Sequence, residues 1–203
     1  MRIGIDFDNT IVSYDALFFK VAHEAGLVPP NIVQTKVAVR DHLRKIGRED
    51  DWTEMQGTVY GGRMAEAIAY PGAFDFMRAA QVQGHELFIV SHKTRYPFRG
   101  VQYDLHEAAR TWVEASLRDE QGALIPSDRA YFELTKEEKL VRVGVLQCDF
   151  FIDDLPEILL ASYFPSGVSP ILFDPDDIHT DHTSLLRQTS WGSIARHLGV
   201  TRV

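Results

Sequence analysis

Two carboxylates, Asp6 and Asp8, flank Phe7 and are followed by Asn9 and Thr10, closing an apolar run that begins at Ile3. Ile3, Ile5 and Phe7 are residues of a buried strand, so the acids fall where that strand gives way to a loop. In open α/β sheets, ligands bind just beyond the carboxyl ends of the strands. Two acids at such an end suit metal-assisted chemistry on an anion, one attacking as a nucleophile while the other moves protons. Aspartates at strand ends also serve as turn residues and helix caps. The same design returns in Phe150-Phe151-Ile152-Asp153-Asp154. Ionised acids are seldom buried without a partner, and four of them at two strand ends require a cation or ligand. Mg²⁺ fits, because it takes hard oxygen ligands and prefers one or two carboxylates together with phosphate and water.

A third apolar run, Leu87 to Val90, leads into Ser91-His92-Lys93-Thr94. A hydroxyl and an ammonium at that end are donors of the kind that hold phosphate oxygens. Thr135-Lys136-Glu137-Glu138-Lys139 carries a capping box in Thr135 and Glu138. Both lysines then fall in the first turn of a helix, where free N–H groups already favour anions.

In order and spacing, these four segments resemble the four motifs of the haloacid dehalogenase-like superfamily, most of whose members are Mg²⁺-dependent phosphohydrolases. The resemblance spans residues 1–175. It implies that Asp6 is a nucleophile forming an aspartyl-phosphate and Asp8 the general acid/base. Ser91 would bind the transferring phosphoryl group, and a lysine would neutralise nucleophile and phosphate. Asp153 and Asp154 would hold Mg²⁺ with Asp6 and the main-chain carbonyl of Asp8. The namesake dehalogenases lack an acid at the position of Asp8, so its presence argues for phosphoryl transfer. The lysine segment and the run from Cys148 to Asp154 look like those of deoxyribonucleotidase-type members. That favours Lys139 over Lys136, although the two lie three apart on one helical face and either has the length to reach the site. Asn9, Thr10, His92, Lys93, Arg95 and Arg99 are the expected substrate-binding residues. The implied reaction is hydrolysis of a small organic phosphate, such as a nucleotide or a sugar phosphate. Phosphotransfer to an acceptor other than water stays open, as does a non-catalytic binding or regulatory module on the same scaffold. Signal-receiver domains place the paired acids and the phosphorylated aspartate in the opposite order.

A chain of 203 residues has room for one full α/β core and a small accessory domain. The net charge of −8 argues against nonspecific binding to nucleic acid or anionic membranes. An anionic substrate must therefore be drawn in by local cations and a metal. The lone cysteine, Cys148, excludes an intrachain disulfide and reads as a small buried hydrophobe. No apolar run approaches the roughly 18 residues of a membrane span, and no basic, apolar leader precedes the first strand. A cytoplasmic protein is expected.

The elements that position these groups alternate between strands and helices, as in a Rossmann-like parallel sheet. Residues 1–12 and 71–203 are expected to form the core, and 13–70 a helical insert after the first strand. Within the insert, apolar spacing and stop signals predict helices over 13–26, 32–46 and 53–69, the last opened by a Thr53–Gln56 capping box. In the resembled family an insert at that place is a cap that selects substrate; helices packed plainly on the sheet are the alternative. The core continues with a helix over 73–82, a strand over 86–90, a helix over 104–117 capped by Asp104, a strand over 129–134, a strand over 170–173 and a helix over 184–198. Between them, residues 94–103 hold Arg95, Arg99 and three aromatics, read as either a substrate-recognising arm or solvated surface. His179 and His182 lack zinc-type spacing and read as loop residues. Trp52 and Trp191 read as packing residues.

Overall fold

The computed structural model describes residues 1–200. In chain order these form β1 (Arg2–Ile5), β2 (Val12–Ser13), α1 (Asp15–Glu24), α2 (Lys36–Lys45) and α3 (Glu49–Gly57). A π turn (Thr58–Gly62) and a 3-10 turn (Met64–Glu66) lead to β3 (Ile68–Ala69), α4 (Ala73–Val82), β4 (Glu86–His92) and α5 (Leu105–Ser116). Then come β5 (Arg118–Asp119), β6 (Gly122–Ala123), β7 (Ala130–Glu133), α6 (Lys136–Val145), β8 (Phe150–Asp153), α7 (Pro156–Leu159), β9 (Ser169–Phe173), β10 (Leu186–Gln188) and α8 (Trp191–Leu198). The chain divides into two compact units, one of residues 1–12, 69–93 and 113 onward, the other of residues 13–68 and 94–112.

The first unit is built on a six-stranded sheet in the order β10-β9-β8-β1-β4-β7, with every neighbouring pair parallel. The chain winds outward from β1 through β4 to β7, returns to β8 beside β1, and winds out the other way. The order thus reverses between β1 and β8, the switch point at which doubly wound sheets bind ligands. Ile5 stands opposite both Ile89 and Ile152, and the Asp6 N–H continues the ladder to the Ile152 carbonyl at 2.8 Å. The residues that follow β1 and end β8 therefore emerge at one level.

Alternation along the strands fills a layer on each face. Phe88, Val90, Phe151 and Leu172 pack with Leu140 and Val143 of α6 and with Ile158 and Leu159 of α7. Gly4 faces this layer without a side chain, because a Cβ there would lie 2.8 Å from the Phe151 ring and 3.1 Å from Cys148 Sγ. Cys148 is buried, as expected, and burial pushes its thiol up to about 11. Phe173, one residue on from Leu172, points to the opposite face, where its ring and that of Phe76 lie 5.6 and 5.1 Å from Trp191.

The second unit gathers α1, α2 and α3 around Phe18, which stacks on Trp52 and meets Tyr60 edge-on. Residues 94–112, which the sequence groups with the core, belong here. Gly57 lies so close to Pro97, and Gly61 and Gly62 so close to Tyr103, that no Cβ fits at the three glycines. Trp112 Nε1 donates to the Ala67 carbonyl at 2.9 Å.

Several boundaries differ from expectation. The helix expected over 53–69 starts at Glu49 and ends at Gly57. The acids Glu49, Asp50 and Asp51 already occupy its first turn, where they favour the helix dipole. Thr53 is an interior residue whose hydroxyl donates to the Glu49 carbonyl. The helix expected from residue 32 starts at Lys36, because the Thr35 hydroxyl accepts the Ala38 N–H and caps it there. The helix expected over 184–198 is shorter. Leu186–Gln188 pairs with Ile171–Phe173 as the sixth strand, and Ser190 caps α8 just before Trp191. The β5–β6 hairpin was not foreseen. No described helix is long and apolar enough to cross a membrane.

Candidate active site

The site lies wholly within the first unit, at the carboxyl ends of β1, β4 and β8. Asp6 follows β1 with its carboxylate almost fully enclosed. Its Oδ1 accepts from Ser91 Oγ at 2.8 Å and from Lys139 Nζ at 2.6 Å. Ser91 is the penultimate residue of β4, the strand beside β1. Lys139 comes from the first turns of α6. The reciprocal Thr135–Glu138 capping box fixes where that helix begins, and so which residues point at the sheet.

Lys139 is fully buried, and its ammonium also lies 2.6 Å from Asp153 Oδ2. Burial alone would drive this amine toward neutrality, but the carboxylates of Asp153 and Asp6 outweigh it and hold its pKa above the usual lysine range. Burial raises the Asp153 pKa, with Lys139 opposing and the like charge of Asp6 adding to the rise. Asp153 Oδ1 accepts the Leu155 N–H at 3.0 Å. Oδ2 is enclosed and faces the Lys139 ammonium.

Asp154 is half-buried, and its Oδ1 lies 3.4 Å from Thr10 Oγ1, which also stands 3.5 Å from Asp6 Oδ2. Asp6, Asp153 and Asp154 each present an oxygen within 4.8 Å of the others, a set able to hold a metal ion. The Asp8 carboxylate is not in that set. It is gripped by Lys93, whose Nζ lies 2.9 and 2.7 Å from its two oxygens. The loop between Asp6 and β2 turns at Asn9, which adopts a left-handed φ of 57°, a conformation that asparagine tolerates better than most residues. Its N–H donates to the Val12 carbonyl at 2.9 Å. Trp191 proves to be more than packing, since its Nε1 donates to the Thr10 carbonyl at 3.2 Å.

The remaining expected residues lie elsewhere or play a smaller part. Lys136 does not join the cluster; it is half-buried and pairs with Glu157 at 3.2 Å. Three residues of helix turn through about 300°, enough to swing it off the direction that Lys139 takes. His92 is half-buried with Nδ1 lacking a hydrogen-bond partner among the described residues, and burial followed by the Lys139 charge lowers its pKa. Arg95 and Arg99 belong to the second unit, paired at 2.9 Å with Asp104 and Asp50.

No protein-family model matches the sequence. A Bacillus cereus protein named "Putative nucleotidase" is 20% identical over 198 residues, covering 94% of each chain. Among solved structures, a haloacid dehalogenase-family hydrolase of Deinococcus radiodurans, crystallised with phosphate and sodium, superposes with a TM-score of 0.59 at 17% identity, covering 98% of this chain and 95% of that one. A hydrolase of the same superfamily from Ehrlichia chaffeensis gives 0.58 at 13% identity, with the same coverage. An archaeal β-phosphoglucomutase from Pyrococcus gives 0.57 at 14%, covering 98% and 97%.

Proposed function

We propose that this chain, which has the fold of the haloacid dehalogenase-like hydrolases, is a Mg²⁺-dependent phosphomonoesterase working through an aspartyl-phosphate on Asp6. The observation that carries the reading is the pairing of Asp6 with Lys139 and Ser91 beside two further buried or half-buried acids at the switch point. A carboxylate fixed in place by a buried ammonium and a serine hydroxyl is placed to attack phosphorus.

The donor set suits a divalent cation. Three carboxylates, two of them buried, each present a hard oxygen within 4.8 Å of the others. When ionised, the four carboxylates outnumber by two the ammonium groups of Lys93 and Lys139 that touch them. Asp6, Asp153 and Asp154, with the main-chain carbonyl of Asp8, would hold Mg²⁺. When bound, it neutralises phosphoryl oxygens and orients them for in-line displacement.

The protein's own groups divide the remaining work. Asp6 forms a bond to phosphorus as the bond to the leaving oxygen breaks, and Asp8, protonated at that moment, passes its proton to that oxygen. As a carboxylate Asp8 then takes a proton from water, whose oxygen attacks the phosphoryl group and frees Asp6 and inorganic phosphate. Ser91 turns its hydroxyl from Asp6 to a phosphoryl oxygen, and Lys139 balances charge in both steps. Among small organic phosphates a nucleoside monophosphate is the first candidate, prompted by the name of the Bacillus cereus relative. The second unit, including Arg95 and Arg99, supplies selectivity for the group that the phosphate esterifies. The test is phosphate release from a panel of phosphomonoesters, nucleotides and sugar phosphates included, with Mg²⁺ and with EDTA. Release that is absent throughout, or indifferent to EDTA, defeats the reading.

A further inference from the structure

We propose that Lys93 is a positioning residue for Asp8, holding its carboxylate in a single orientation beside Asp6. The inference rests on Asp8 being the acid/base of the proposed reaction, and it gives Lys93 a task separate from binding substrate.

Both partners are placed by neighbouring strands. Asp8 lies three residues past Ile5 and Lys93 four past Ile89, and those two are register partners in the β1–β4 ladder. The backbones are fixed on each side of the pair. The Lys93 N–H donates to the Glu133 carbonyl at 2.8 Å, and Asp8 forms a β-bridge with Val12. The Lys93 side chain is only 5% exposed and that of Asp8 21%, so water screens the pair little. The ammonium meets both oxygens, at 2.9 and 2.7 Å. A contact to one oxygen leaves a carboxylate free to rotate about its last bond, whereas contact to both opposes that rotation. Proton transfer demands hydrogen-bond reach and alignment; the contact to both oxygens supplies them when Asp8 is the carboxylate that takes a proton from water, and contact to the unprotonated oxygen keeps the same plane when Asp8 carries the proton. Lys139, by contrast, meets a single oxygen of Asp6 and shares its ammonium with Asp153.

Substituting Lys93→Met and Lys93→Arg separates this role from plain substrate binding. An acid's contribution matters most when the leaving oxygen is a poor leaving group, as in an alkyl phosphate, and least for p-nitrophenyl phosphate. General acid–base catalysis supplies about 10²–10⁴-fold, and a misplaced acid forfeits part of that. The expected result for Lys93→Met is a kcat on a simple alkyl phosphate that falls at least about tenfold further than kcat on p-nitrophenyl phosphate, with Lys93→Arg recovering part of the difference. A rise in KM common to both esters, with kcat falling equally or not at all, would make Lys93 a substrate-binding residue and overturn the proposal. A crystal structure of Lys93→Met supplies a readout independent of turnover. Asp8 should rotate or split into several conformers; an Asp8 that stays in place overturns the positioning role. Failure of wild-type protein to hydrolyse either ester would instead defeat the phosphatase reading, with the Asp8 conformation still deciding whether Lys93 positions it.

Discussion

Lys139 Nζ lies 2.6 Å from Asp6 Oδ1, inside a space that leaves the lysine with no solvent exposure. The same ammonium meets Asp153 at 2.6 Å, so one cation joins the two strand ends at which the sheet reverses its order. Removing one member of a buried ion pair strands the charge of the other, at a cost of about 3–5 kcal/mol. Lys139→Met is therefore expected to destabilise the fold by that amount and to depress turnover on every phosphate ester. Lys136→Met, at a half-buried site outside the cluster, should change stability by less than about 1 kcal/mol and leave turnover near wild type. Urea unfolding and a phosphate-release assay on both variants check this. Equal behaviour of the two lysines contradicts it.

Binding of Mg²⁺ should raise the thermal midpoint of the wild-type protein, because a ligand that binds only the folded state stabilises it. Asp153→Asn should weaken Mg²⁺ affinity more than Asp154→Asn, since Asp153 is fully buried and Asp154 only half-buried. Calorimetric titration with Mg²⁺ gives the comparison without any substrate. Ca²⁺ should replace Mg²⁺ poorly in the assay, because its larger and looser shell alters the coordination geometry.

Gly4→Ala tests the packing beneath the site. The added methyl meets the Phe151 ring at 2.8 Å, and overpacking of this kind costs about 1–3 kcal/mol. The urea midpoint should fall with the slope of the transition unchanged. An unaltered midpoint would mean that Phe151 yields freely.

The clustering of Asp6, Ser91, Asp153 and Asp154 was legible because they end apolar strands, and two strand ends beside a switch point have few structural uses for four acids. The choice between Lys136 and Lys139 was less so. Residues three apart share a helical face loosely, and only the fixed start of α6 decides which of them points at Asp6. The clamp of Lys93 on Asp8 joins two loops from neighbouring strands, a contact that no periodicity records. The placement of residues 94–112 depends on Gly57, Gly61 and Gly62 admitting Pro97 and Tyr103. Glycines inside an apolar-periodic run signal by themselves only a weakened helix. Leu186-Arg187-Gln188 escaped notice as a strand because three residues with two polar side chains carry almost no β pattern, and pairing with β9 supplies what propensity does not.

Arg95 and Arg99 are expected to act in recognition rather than chemistry. Their replacement by Ala should raise KM for the physiological ester well above its effect on a small generic ester, with kcat little changed, the pattern of binding lost equally from ground and transition states. Steady-state kinetics on both substrates checks this. An equal effect on the two esters would make the residues part of a solvated surface held by Asp104 and Asp50.

The most direct test of the account is phosphate release by wild-type protein and by Asp6→Asn, each with Mg²⁺ and with EDTA. The amide is nearly isosteric with the carboxylate but lacks the anionic oxygen that attacks phosphorus. The account predicts Mg²⁺-dependent release by the wild type, and a loss of about 10³-fold or more in a folded Asp6→Asn protein, as when a covalent nucleophile is removed. Turnover of Asp6→Asn near the wild-type rate would contradict it.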